Sequence, residues 1–210
     1  MNARPLIVEF IGTLFLVLVI GLTVIESGTA NLYPFPIVAI LMVMIYAGAA
    51  ISGAHYNPAV TLAVWIRGKC ATSDVVPYML AQVAGALVAA IAVNFFKAGA
   101  VVIPPTLDAG RALLFEILFT FALSYVVLNV ATSKKTAGNS YFGLAIAFTV
   151  LAGAYAGHGI SGGVLNPAVA AGVTVMGLSA MGNIWIYLVG NFIGGALAAV
   201  VYKLVNPDEV

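Results

Sequence analysis

The chain has 210 residues, of which 63% are hydrophobic and 7% charged, against about 25% charged in soluble globular domains. That balance excludes a water-soluble fold and reads as an all-α integral membrane protein, and a formal net charge of +1 offers no surface for nucleic acid or acidic partners. One cysteine, Cys70, excludes an intrachain disulfide and a CxxC metal or redox pair.

The first apolar run, Leu6 to about Ile25, follows Arg4 in the manner of a signal peptide. It is long enough for a hydrocarbon core of roughly 30 Å, which takes about 20 residues, and so reads as a retained helix closed by Ser27-Gly28. A second run covers 34–51. Asn57 to Ile66 is too short to cross: a helix of about ten residues reaches only about 15 Å. The third run, 75–97, has Asp74 placed to cap it, and Pro104-Pro105 separates it from the fourth, 109–131. Lys134-Lys135 and Gly138-Asn139 lead into the fifth, 139–158. A second short piece, Asn166 to Met176, precedes the sixth run, 180–204. The reading is six transmembrane helices and two half-helices. No linker or low-complexity tract divides it, so 1–210 is one membrane domain.

The two short pieces belong to a repeat. Ile51–Val60 and Ile160–Val169 agree at seven of ten positions, 109 residues apart. Tyr78, Gln82 and Gly85 recur at the same offset as Tyr187, Asn191 and Gly194, and Glu9 recurs as Glu116 at an offset of 107. The repeats cover about 1–100 and 108–210. Each holds three spans and one half-span, an odd number of crossings, so the second copy is inverted and the site lies at the midplane. Each half-helix opens with Asn then Pro, a capping residue followed by the residue favoured at N1. Their N-termini therefore sit near mid-membrane, where Gly-rich, non-helical backbone is tolerated only beside protein or a wet cavity. With the N-terminus inside, Arg4, Arg67, Lys69, Lys134, Lys135 and Lys203 are cytoplasmic and only Lys97 and Arg111 lie outside. This obeys the positive-inside rule and puts both termini in the cytoplasm.

These residues resemble the aquaporin, or major intrinsic protein, family over the whole chain. They are Glu9 and Glu116 opening the first and fourth spans, Ser52-Gly53-Ala54-His55 before Asn57-Pro58-Ala59, and Ser161-Gly162 before Asn166-Pro167-Ala168. The resemblance implies six tilted helices, two half-helices meeting end to end, a pore in each protomer and a homotetramer in the lipid bilayer. It implies no cofactor or metal.

A pore for neutral solutes needs a few polar groups on an apolar wall. Asn57 and Asn166 would supply amide donors at its centre, or merely cap their helices; the two roles are compatible. The carbonyls of Gly53, Ala54, His55 and Tyr56, with those of Gly162, Gly163, Val164 and Leu165, would supply acceptors. The half-helix N-termini, each about half a positive charge, would repel cations. Glu9 and Glu116 are functional candidates as ionisable groups inside spans, and the preferred reading is that each braces a non-helical loop. His55 holds its loop by a hydrogen bond or also faces the pore. His158 either lines the outer vestibule or satisfies a loop. Gly190-xxx-Gly194 is a small-residue helix crossing.

The chain departs from its family one residue past the second motif. Most members have arginine there, where this chain has Val169. Counting from the two Asn anchors, the other selectivity-filter positions fall on Ile37, Ala154 and Gly163. The expected constriction is wide, apolar and uncharged, lacking a guanidinium with up to five donors. The expected function is a passive channel for small neutral solutes, such as glycerol, urea or undissociated metalloid acids such as arsenite, together with water. Arginine-less bacterial relatives are associated with metalloid transport, and the acidic residue of typical glycerol channels is replaced by Ala170. The location implied is the bacterial cytoplasmic membrane. A water-selective aquaporin is the alternative. An inverted-repeat secondary transporter would need a midplane carboxylate, for which only Glu9 and Glu116 are available. An enzyme is disfavoured, because neither HExxH nor GxSxG occurs. Short loops leave little room for a gate.

Overall fold

A computed structural model describes residues 3–26 and 32–209, and among them the regular structure is entirely helical. Eight α-helices follow in order: α1 Ala3–Val24, α2 Pro34–Ser52, α3 Pro58–Ile66, α4 Thr72–Phe96, α5 Ala109–Val127, α6 Phe142–Gly157, α7 Pro167–Val175 and α8 Ile184–Val205. The proposed stop at Ser27-Gly28 lies outside the described residues.

Five helical stretches are long and apolar enough to cross a membrane: α1, α2, α4, α8 with the short turn before it, and α5 extended to Thr132. The sixth, α6, has 16 residues and covers about 24 Å, so it is shorter than the expected 139–158. Both ends give the reason. Asn139 leaves the helix to donate its amide to the Val130 and Thr136 carbonyls. Beyond Gly157, the N–H groups of Ile160, Ser161 and Gly162 all turn back to the Gly157 carbonyl. Asp74 also departs from expectation. Ala71 is the N-cap of α4, and Asp74 sits inside the first turn, where a carboxylate still favours the positive helix end.

The helices pair in a repeated pattern. α1 packs on α4 as α5 packs on α8, α1 on α2 as α5 on α6, and the half-helices cross over, α3 to α8 and α7 to α4. Backbone approach sets the two strongest pairings. A Cβ at Gly85 would run into the Phe10 carbonyl oxygen, and one at Gly194 into that of Ile117, the residue 107 positions on. Small residues there let helices pack where lipid gives no hydrophobic drive to do so.

The distribution of polarity is that of a bilayer protein. Leu80, Phe95 and Leu118 point outward, 55–78% exposed. Glu9, Thr13, Gln82, Glu116, Thr120 and Asn191 are fully buried. A buried polar group needs partners, and these converge on the two half-helix loops.

Candidate functional site

Each half-helix is started by its asparagine. Asn57 is extended at the N-cap of α3 and its Oδ1 accepts from the N–H groups of Ala59 at 2.9 Å and Val60 at 3.5 Å. Asn166 repeats this at α7, accepting from Ala168 at 2.9 Å and Val169 at 3.3 Å. Pro58 and Pro167 then occupy N1, where the missing N–H has no intrahelical partner to lose.

The amide nitrogens reach across the molecule. Asn57 Nδ2 donates to the Leu165 carbonyl and Asn166 Nδ2 to the Tyr56 carbonyl, both at 2.9 Å. Each primary amide has two N–H donors. One is thus committed to the opposite loop and one is left for the cavity. This narrows the sequence expectation: each amide offers one free N–H, and the Tyr56 and Leu165 carbonyls each already accept one bond.

The loops before each Asn take a backbone shape most residues avoid. Gly53, Ala54 and Tyr56 have φ of 85°, 52° and 49°, and Gly162, Gly163 and Leu165 have 87°, 64° and 53°. Left-handed conformation at non-Gly residues costs about 1–3 kcal/mol each and persists only where surroundings impose it. A carboxylate does so in both halves. Glu9 Oε1 accepts from the Ser52 hydroxyl (2.7 Å) and the His55 N–H (2.9 Å), and Oε2 from the Tyr56 N–H (2.6 Å) and the Gln82 amide (2.8 Å). Glu116 accepts the matching set from Ser161 (2.7 Å), Val164 N–H (2.9 Å), Leu165 N–H (2.7 Å) and Asn191 (2.6 Å). Four donors fill the about four lone-pair sites of a carboxylate. Tyr78 and Tyr187 complete the clamp, donating to the Ser52 and Ser161 carbonyls at 3.0 Å.

Both loops border one cavity of about 550 Å³. Gly53, Ala54, His55, Tyr56 and Asn57 line it from one half, with Gly162, Gly163, Val164, Leu165 and Asn166 from the other. Ile37, Ala154 and Val169 line it too. One end is bordered by Tyr33, the other by the segment 132–139. Pro58, Ala59, Pro167 and Ala168 are buried behind the wall and build the half-helices.

Gly163 has a packing reason for its identity. A Cβ there would sit 2.5 Å from the Gly153 carbonyl oxygen, and its φ is 64°. Glycine is needed for the loop to lie against α6, whatever passes beside it. His158 does not line the cavity; its Nδ1 lies 2.7 Å from the hydroxyl of Tyr33, which does.

His55 is oriented by a closed hydrogen-bond circuit. The Thr61 hydroxyl donates to the Asn57 carbonyl (3.1 Å), accepts from Gln82 (3.0 Å) and lies 3.1 Å from His55 Nδ1. The ring is thus held at Nδ1, and it borders the cavity. His55 therefore serves both its loop and the wall.

Apart from Ile37 and Ala154, the apolar wall residues were not legible as such in the sequence. They recur every four positions: Leu16, Ile20 and Val24 on α1; Ile37, Leu41 and Ile45 on α2; Phe142, Ile146, Val150 and Ala154 on α6. That spacing marks one helix face. In chains this apolar the opposite face is equally hydrophobic, and the stripe does not stand out.

The cavity is bordered by the two loops and their capping asparagines on one side and by aliphatic side chains of α1, α2 and α6 on the other. Among the described residues no cluster of His, Cys, Asp or Glu could hold a metal ion.

Comparison with known proteins places this geometry. The chain matches the family described as Major intrinsic protein over residues 1–202. It is 35% identical to Aquaporin NIP1-1 of Zea mays over 213 residues, 97% of this chain and 75% of that protein. It is 32% identical to the Glycerol uptake facilitator protein-like 6 of Lactiplantibacillus plantarum over 216 residues, 98% of this chain and all of that one. Its fold matches the X-ray structure of the aquaglyceroporin from Plasmodium falciparum with a TM-score of 0.84 at 22% identity, covering 100% of this chain and 99% of that one. With half-helices, capping asparagines and cavity on one scaffold, the chain belongs to the major intrinsic protein family.

Proposed function

We propose that this protein is a passive channel for small neutral solutes, such as glycerol, urea or undissociated metalloid acids such as arsenite, together with water. One observation carries the reading: a single cavity runs past both capping asparagines, and Ile37, Ala154, Gly163 and Val169, which border it, bring neither charge nor large ring. Solute would exchange water hydrogen bonds for wall carbonyls and one N–H of each asparagine, with its carbon skeleton against the aliphatic face. The paired half-helix N-termini present positive potential to a cation at the same point. A glycerol uptake facilitator-like protein among the relatives and an aquaglyceroporin among the solved structures agree with solutes larger than water.

The same reading places both termini in the cytoplasm of a bacterial cell. Arg67, Lys134, Lys135 and Lys203 meet at the 132–139 end: Lys135 Nζ reaches Asn206, Lys203 Nζ reaches the Ile66 carbonyl, and Arg67 shares Glu209 with the Lys134 N–H. A common basic end is what the positive-inside rule requires of the cytoplasmic face. A homotetramer fits the exposed apolar flanks, and light scattering of the detergent-solubilised protein tests it.

Proteoliposomes assayed in stopped flow for water, glycerol, urea and arsenite test the solute range. Rapid uptake of at least one solute larger than water is the expected result. High water permeability without glycerol, urea or arsenite uptake would refute the wide constriction and leave a water-selective aquaporin.

A further inference from the structure

The Glu209 carboxylate accepts five hydrogen bonds and belongs to no part of the site described above. It is only 7% exposed. Arg67 Nη2 donates to Oε2 at 3.0 Å and the Tyr202 hydroxyl to the same oxygen at 2.9 Å. The Ser133 hydroxyl donates to Oε1 at 2.6 Å, the Lys134 N–H to Oε2 at 3.1 Å and the Lys135 N–H to Oε1 at 3.3 Å. Arg67 is the C-cap residue of half-helix α3, and its guanidinium lies 4.8 Å from the centre of the Tyr202 ring. One side chain thus joins a half-helix, the end of α8 and the connection between α5 and α6.

That connection is a wall of the cavity: Ser133, Lys134, Ala137, Gly138 and Asn139 border its mouth. The segment has little structure of its own. It leaves α5 through a π-helical turn, Leu128–Thr132, and contains a single 3₁₀ turn, Lys134–Thr136. Its tip is tied back to the π turn, Thr136 Oγ1 to the Asn129 carbonyl at 2.6 Å and Asn139 to the Val130 carbonyl at 2.8 Å. These bonds fold the tip onto the π turn, whose Leu128 is fully buried, and the Tyr46 hydroxyl holds the Ser140 carbonyl just beyond it at 3.1 Å. The stretch 133–135 has its attachment to α3 and α8 through Glu209, and Asn206 holds the Lys135 ammonium beside it at 3.3 Å.

We infer that Glu209 is a positioning residue for permeation, holding the 133–139 segment off the mouth of the cavity so that the passage stays open at that end. The inference rests on the cavity being the solute path. Without the carboxylate, Arg67 is left buried without its counter-ion and the Ser133, Lys134 and Lys135 donors turn to other acceptors. The 133–135 stretch, released from α3 and α8, then moves toward the mouth and carries Lys134 and Lys135 with it. A narrowed mouth hinders a polyol more than water.

The test compares the wild-type protein with Glu209→Ala and Ser133→Ala in proteoliposomes, measuring water and glycerol permeability per folded channel. Ser133→Ala deletes the shortest of the five bonds, along with the hydroxyl's own bond from the Lys135 N–H, and keeps the Arg67 ion pair, so it remains informative if Glu209→Ala does not fold. Glu209→Ala should lower the glycerol-to-water permeability ratio about tenfold, equivalent to about 1.4 kcal/mol of barrier; Ser133→Ala should lower it by less, and Glu209→Asp should recover part of the loss. A merely structural anchor would reduce the amount of folded channel and leave the ratio alone. An unchanged or raised ratio in Ser133→Ala, or in folded Glu209→Ala, overturns the inference. A wild-type channel that passes neither water nor glycerol would instead overturn the reading of the cavity.

Discussion

The loop before Asn57 and the loop before Asn166 are built to one plan and finished differently. Each has a serine-bonded carboxylate, a tyrosine clamp, left-handed residues and a capping asparagine that reaches across to the other. The side chains around that plan differ. Gln82 is long enough to bond both Glu9 and Thr61, the latter on the half-helix, whereas the shorter Asn191 bonds Glu116 and Thr120, the latter on α5. His55 in the first loop is matched by Val164 in the second. The backbone scaffold is therefore kept alike, and the asymmetry falls on what borders the cavity.

Removing either carboxylate is the strongest test of likeness. Glu9→Ala and Glu116→Ala each leave two buried backbone N–H groups without an acceptor, at about 1–3 kcal/mol per group, and release left-handed backbone besides. Against a total stability of about 5–15 kcal/mol, both should abolish a monodisperse folded peak in size-exclusion chromatography. If only one fails, the two braces are not equivalent.

Close helix approach is a milder test. Gly85→Ala and Gly194→Ala each push a methyl onto a backbone carbonyl, and overpacking of this kind costs about 1–3 kcal/mol. Thermal unfolding in detergent should drop by similar amounts for the pair. The finish of the cavity is tested by permeability: Val169→Arg should narrow the solute range to water, and His55→Val, which makes the first loop resemble the second, should lower water flux by removing a polar ring from the wall, with little change in stability because Thr61 keeps its bonds to Asn57 and Gln82.

The smallest effect concerns acidity at the basic mouth. The Ser133 hydroxyl, then the Lys134 N–H, the Tyr202 hydroxyl and the Lys135 N–H, hold the Glu209 carboxyl down at about 2, with Arg67 paired to it. A depressed carboxylate contributes stability that is complete above its unfolded value near 4.3 and is lost as pH falls through about 2. Flux and thermal stability attributable to this group should be flat between pH 5 and 8, and titration of unfolding should show weakening only below about pH 4.

Much of the fold was legible because a bilayer imposes lengths. The ends of α2, α3 and α7 fall within about two residues of the runs read from hydrophobicity and Asn-Pro punctuation. The repeat singled out Glu9, Glu116, Tyr78, Gln82 and Asn191 as recurring positions, without showing that they bond around the same loops. Contacts between residues remote in sequence stayed hidden. Nothing local announces that Asn57 bonds the Leu165 carbonyl 108 positions away, that Gly163 is glycine because α6 lies against it, or that Glu209 reaches back to Arg67. The start of α4 was misplaced for a smaller reason: an acidic residue serves as well in the first turn as at the cap.

The exchanged amide bonds between the two loops bear on how this protein is made. Until the second half is inserted, Asn57 lacks the Leu165 carbonyl as acceptor and the Tyr56 carbonyl lacks the Asn166 amide as donor. The first half can reach the membrane alone, but its inner loop has no finished shape to keep. Closing such contacts across more than 100 residues of chain is slow relative to forming a single helix. A fragment of residues 1–100 should accordingly insert while its first loop remains open to labelling or proteolysis, and co-expression with 108–210 should protect it. That protection would place completion of the cavity at the step where the two halves lock into each other.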